Sequence, residues 1–139
     1  MKVLKLIIIV ILISILAYCS NNAKSIPTPT VIVDTTYNYT TEELLTLDYI
    51  NNYRVSLGIV SLEKNGYVSQ KCEEHNLQMI AQDSLSHNGF VQREIAIENA
   101  LGAKVVEENV GYGFTSPKGI LNAWIASPDH KNNLVGDFS

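Results

Sequence analysis

The sequence predicts a helix-rich α+β domain over residues 41–139, placed behind an export signal (residues 1–18) and a tether (residues 19–40). Three observations carry this. Apolar residues recur at helical spacing through most of the C-terminal hundred positions, helix-start signals punctuate them, and only two short stretches favour a strand. At 139 residues the chain has room for one domain.

The N-terminus is read as a targeting segment rather than structure. Lys2 and Lys5 form a basic head before the apolar run LIIIVILISILA at 6–17. Twelve residues make roughly 18 Å of helix, short of the about 30 Å of bilayer hydrocarbon, which suits a signal-peptide core; an uncleaved anchor starting at Val3 is the alternative. Leu16-Ala17-Tyr18-Cys19 resembles a lipobox, with Tyr18 departing from the usual small residue, so Cys19 is the expected lipidation site. Loss of Lys2 and Lys5 on cleavage removes two positive charges and moves the formal charge from -4 to -6. An acidic, cation-poor chain argues against nucleic acid as a partner. Cys72 would then be the only cysteine besides Cys19, and no intramolecular disulfide is expected.

Residues 20–40 are rich in Asn, Thr, Ser and Pro, with Pro27 and Pro29 keeping the chain extended. Val31-Ile32-Val33 is the one apolar patch there, a short strand if it docks. The domain proper starts with a capping box, Thr40-x-x-Glu43, ahead of Leu44, Leu47, Ile50 and Arg54 at helical spacing, and Gly58 ends that helix. Residues 59–62 are β-prone and Asn65-Gly66 reads as a turn. A second helix runs from Tyr67 to Gln82 with Val68, Cys72, Asn76, Met79 and Ile80 on one side, which makes Cys72 a buried small residue. Ser86 to Gln92 reads as a loop and Arg93 to Leu101 as a weaker helix stopped by Gly102. Residues 105–114 favour a strand through Val105, Val106, Val110 and Tyr112. Ser116-Pro117 opens a helix with Ile120, Leu121, Trp124 and Ile125 on its apolar face. Ser127-Pro128 repeats the device and starts a short final turn through His130 and Leu134.

Standard catalytic signatures are missing: the chain has no HExxH, CxxC, GxSxG or phosphate-binding glycine loop. Glu73-Glu74-His75 reads as a solvated face in mid-helix. His87, Glu108 and His130 instead sit at element boundaries, where scaffolds present functional side chains.

Four segments in order resemble the CAP (SCP-like) superfamily in its short bacterial form: Asn51-x-x-Arg54-x-x-x-Gly58 with Leu62, Ser86-His87, Glu107-Glu108-Asn109-Val110-Gly111, and Trp124-x-x-Ser127-Pro128-x-His130-Lys131-x-Asn133-Leu134. The resemblance implies an α-β-α sandwich with a small antiparallel sheet, here lacking its C-terminal strands. The strand at 105–112 is then short of neighbours, so the domain is expected to be marginally stable, or to be rescued by Val31–Val33 or a second molecule filling the gap. Larger relatives converge two histidines and two glutamates on a divalent metal. His87, Glu108 and His130 take three of those positions, and Ser127 stands where the second glutamate would be. The expected binding cleft is therefore His87, Glu108, Ser127 and His130, with zinc as candidate metal on His87, Glu108 and His130. The alternative is that the two histidines and Glu108 hydrogen-bond one another and pin helix ends.

The resulting expectation is a non-enzymatic lipoprotein of the cell envelope, with the outer-membrane surface as one placement. It would be held by its N-terminal lipid and bind a lipid or a protein. A metal-dependent, peptidase-like hydrolase using His87, Glu108 and His130 is the competing reading, and a degraded relative without activity is a third.

Overall fold

A computed structural model describes residues 36–138. The expected signal peptide, the lipidation site Cys19, Val31–Val33 and the tether up to residue 35 lie outside the described residues. Five helices follow in order: α1 (Thr41–Ser56), α2 (Gly66–Gln82), α3 (Phe90–Leu101), α4 (Pro117–Ala126) and α5 (Pro128–Val135).

Local chemistry sets most helix ends. Thr40 and Glu43 form the expected capping box on α1: the Thr40 hydroxyl accepts from the Glu43 amide, and the Glu43 carboxylate accepts from the Thr40 amide. Partial burial alone would raise the Glu43 carboxyl, but bonds from the Thr40 amide, Tyr37 and the Thr40 hydroxyl outweigh it and hold it below its ordinary value. This contribution to stability is present at neutral pH and is lost as pH falls through the lowered value. Asn65, expected in a turn, caps α2 by accepting from the Tyr67 and Val68 amides. Ser116 caps α4 with Pro117 in its first turn. Ser127 takes the N-cap position of α5 without a side-chain cap bond, so its hydroxyl does not perform the expected capping role. Helix α3 starts at Phe90, three residues before its expected start, because Gly89 takes a left-handed φ of 74° that turns the loop into the helix.

The helices form two groups, α1 with α4 and α5, and α2 with α3. The expected antiparallel sheet between helical layers is not there: the described residues contain no strand. The middle position is held by a non-helical segment, residues 103–115, bent at 104, 113 and 115 with an unbent extended stretch at 105–112 between them, and it makes no backbone–backbone hydrogen bond among the described residues. A strand needs a ladder partner, and here side chains take that place. The Glu108 carbonyl accepts from Asn133 Nδ2 at 3.3 Å, and the Val110 carbonyl accepts from Trp124 Nε1 at 3.1 Å. The β-prone stretch 59–62 is corrected for the same reason. Leu62 bonds both ways with the Asn51 side-chain amide, and the Val60 carbonyl accepts from Arg54.

Among the described residues, the fully apolar side chains that are buried are Ile97, Leu121 and Leu134. The two helix groups are spaced apart by a groove of about 1120 Å³, which leaves Leu44, Leu101 and Val105 open along it. Leu47, Ile50, Val68, Ile97, Val106 and Trp124 line it. Cys72, expected in the core, is exposed at this groove. Loss of hydration against the groove wall, with the Glu108 charge adding to it, still raises its thiol above the ordinary value, so it stays protonated at neutral pH.

Candidate functional site

The site forms where the extended segment passes between the helix groups. Adjacent side chains of an extended chain point to opposite faces, so Glu108 and Asn109 serve different partners. Glu108 meets α3 and the loop before it, whereas Asn109 meets α5.

On the first face, His87 Nδ1 lies 2.8 Å from Glu108 Oε1. Arg93, on α3, donates to the same carboxylate through Nε to Oε2 at 2.9 Å, and through Nη2 to Oε1 at 2.8 Å and Oε2 at 2.6 Å. Its Nη1 donates to the Asn88 carbonyl at 2.8 Å, tying the His87 loop to the same guanidinium. His75 supports that loop from α2, since its Nε2 is 2.8 Å from the Ser86 carbonyl. A carbonyl only accepts, so His75 carries its proton on Nε2. Its Nδ1 is left buried without a hydrogen-bond partner among the described residues. The solvated face expected at Glu73-Glu74-His75 is thus corrected at His75, which is 4% exposed and 3.9 Å from Glu108 Oε1.

On the second face, Asn109 Nδ2 donates to the His130 carbonyl at 2.9 Å, and Asn133 Nδ2 donates to Asn109 Oδ1 at 3.0 Å. The two amides clamp the extended segment onto α5. His130 enters this clamp through its backbone. Its imidazole makes no hydrogen bond or ion pair among the described residues.

Of the four residues predicted for the cleft, the structure therefore joins His87 and Glu108 directly. Ser127 acts through its backbone at the α4–α5 junction, where its amide bonds to the Trp124 carbonyl and its carbonyl accepts from Lys131. The partners that sequence reasoning passed over are Arg93, His75, Asn109 and Asn133.

Zinc would need free donor positions on Glu108. A carboxylate offers about four lone-pair positions, and four donor contacts from His87 and Arg93 already fill those of Glu108. Among the described residues, no group of three or more His, Cys, Asp or Glu side chains is arranged to hold an ion. The residues present do not fit a divalent metal, and no chemistry is derived through one.

Against known proteins, the family model described as the cysteine-rich secretory protein family, CAP, matches residues 47–138. No curated protein and no solved structure matches the chain.

Proposed function

The chain belongs to the CAP family over residues 47–138, and we propose that it acts as a binding module at the cell envelope that captures an extended polypeptide segment, without catalysing a reaction on it. The observation that carries this reading is the juxtaposition of an apolar groove with an unpaired extended segment along it. None of the backbone N–H groups from 103 to 115 has a protein partner among the described residues. An apolar lipid tail would cover the groove but leave those polar groups unmatched, which is costly away from water. An extended peptide pairs the alternate N–H groups along one edge of the segment and offers alternate side chains to the apolar wall, as in strand addition. Nothing beside His87 favours hydrolysis: among the described residues no hydroxyl or thiol is hydrogen-bonded to its ring.

Trp124, the only tryptophan in the chain, lines this groove and reports on its occupancy. Titrating the full chain with a short peptide alternating valine and threonine is expected to shift Trp124 emission saturably. The same peptide N-methylated along its backbone should have little effect. A response to fatty acid vesicles with none to the peptide would make the groove a lipid site and overturn the reading. Equal responses to the two peptides would remove strand pairing as the mode of binding.

Envelope attachment is the second part of the proposal. After removal of residues 1–18, a lipid on Cys19 would hold the domain on its tether. Cys19→Ala is expected to lose lipid labelling and to move from the detergent phase to the aqueous phase. Unchanged labelling and partitioning in that variant would contradict the anchor.

A further inference from the structure

We infer that Arg93 is the resident cation of the Glu108 site, and that the Arg93–Glu108–His87 unit serves to present His87 Nε2 as a fixed hydrogen-bond acceptor for a ligand N–H or O–H. This stands independently of what occupies the apolar groove.

The tautomer follows from the partners. An ionised carboxylate only accepts, so the 2.8 Å contact requires His87 to donate from Nδ1. In the neutral ring the lone pair is then on Nε2. That atom has no protein partner among the described residues, and the His87 side chain is 52% exposed. A carboxylate that fixes an imidazole in this way sets which nitrogen meets a ligand.

Arg93 makes the arrangement rigid. Its planar fork engages both oxygens of Glu108 while Nη1 holds the Asn88 carbonyl, so one guanidinium fixes both the carboxylate and the loop bearing His87. The loop leaves space for this: a Cβ at Gly89 would come within 3.3 Å of Arg93 Nη1. Arg93 and Glu108 are only 12% and 17% exposed. A divalent ion could reach the carboxylate oxygens only by expelling a largely buried guanidinium from its partner, which leaves that charge unpaired. His75 holds the loop from the other side through the Ser86 carbonyl. The imidazole is thus positioned by three side chains and needs no metal to orient it.

Nitrogen-15 NMR of the full chain, with zinc titrated in, tests this on the unaltered protein. The expected result is a His87 ring with its proton on Nδ1 and a bare Nε2, and an Arg93 Nε–H signal protected from solvent exchange. Both should persist unchanged at a molar equivalent of zinc. A His87 ring protonated on Nε2 in its neutral form would overturn the proposal. So would loss of the Arg93 Nε–H signal at a molar equivalent of zinc, with movement of the His87 and His130 ring resonances.

Discussion

Arg54→Met is expected to unfold the domain at denaturant concentrations far below the midpoint of the parent chain. Arg54 sits on the inward stripe of α1 and is fully buried. Its Nε donates to the Val60 carbonyl at 2.8 Å, and its Nη1 donates to the carbonyls of Leu134 at 2.8 Å and Gly136 at 2.9 Å. Nη2 makes a longer contact of 3.5 Å to the Phe138 carbonyl. These carbonyls lie at and beyond the end of α5, where helix geometry leaves acceptors without intrahelical partners and gathers partial negative charge. One guanidinium therefore fastens α1, the 59–62 stretch and the end of α5 together. A bond to a charged group contributes about 1.5–3 kcal/mol, and a stranded buried acceptor costs a similar amount, so losing three good bonds should remove at least about 3 kcal/mol. That is a large share of the roughly 5–15 kcal/mol typical of a domain. Arg54→Lys should rescue little, because an ammonium lacks the fork that spans both sets of carbonyls. Urea titration of the parent and both variants measures this, and a midpoint for Arg54→Met close to the parent's would contradict the assigned role.

The second large effect is expected at Glu108→Ala. Removing the carboxylate leaves the Arg93 guanidinium largely buried and unpaired, and frees His87. Breaking one side of a buried ion pair costs about 3–5 kcal/mol; discounted for the residual exposure of this pair, about 2–4 kcal/mol is expected. The double variant Arg93→Met/Glu108→Leu should recover most of that loss, because it removes the stranded charge and fills the space with apolar groups. A coupling energy near zero in the cycle of the parent, Arg93→Met, Glu108→Leu and their double variant would show that the pair does not hold the site together.

The helices were legible because their signals are local. A capping box at Thr40, Ser-Pro at 116–117 and apolar residues at helical spacing act within a turn or two, and the helices formed where these signals stood. The sheet was misread for a complementary reason. Val105, Val106 and Val110 do favour extended backbone, and the segment is extended, but a strand also requires a second chain segment that residue preferences cannot supply. The amides of Asn109 and Asn133 and the indole of Trp124 hold the segment instead. The pairing of His87 with Glu108 was legible only through the family motifs, since 21 residues separate them.

Arg93 and His75 were overlooked because each lies inside a helix and looks like surface in sequence. One signal was available: the chain has two arginines, Arg54 and Arg93, among ten cationic side chains. Both stand where a planar fork is needed to gather several acceptors at once. Lysine could serve on the solvated surface, so the rarity of arginine itself marked the two positions. His130 shows the reverse case. Its motif placed it correctly beside the site, but the structure uses its carbonyl, which any residue could provide.

Amide hydrogen exchange of residues 103–115 in the full chain, measured alone and with the valine–threonine peptide bound, separates a free strand edge from one already paired. Rapid exchange is expected in the chain alone, because these N–H groups have no protein partner among the described residues. Protection at alternate positions along the segment is expected once the peptide is bound, as one edge of the strand pairs. Strong protection in the chain alone, or binding of the peptide with no new protection between 103 and 115, would contradict peptide capture by strand pairing.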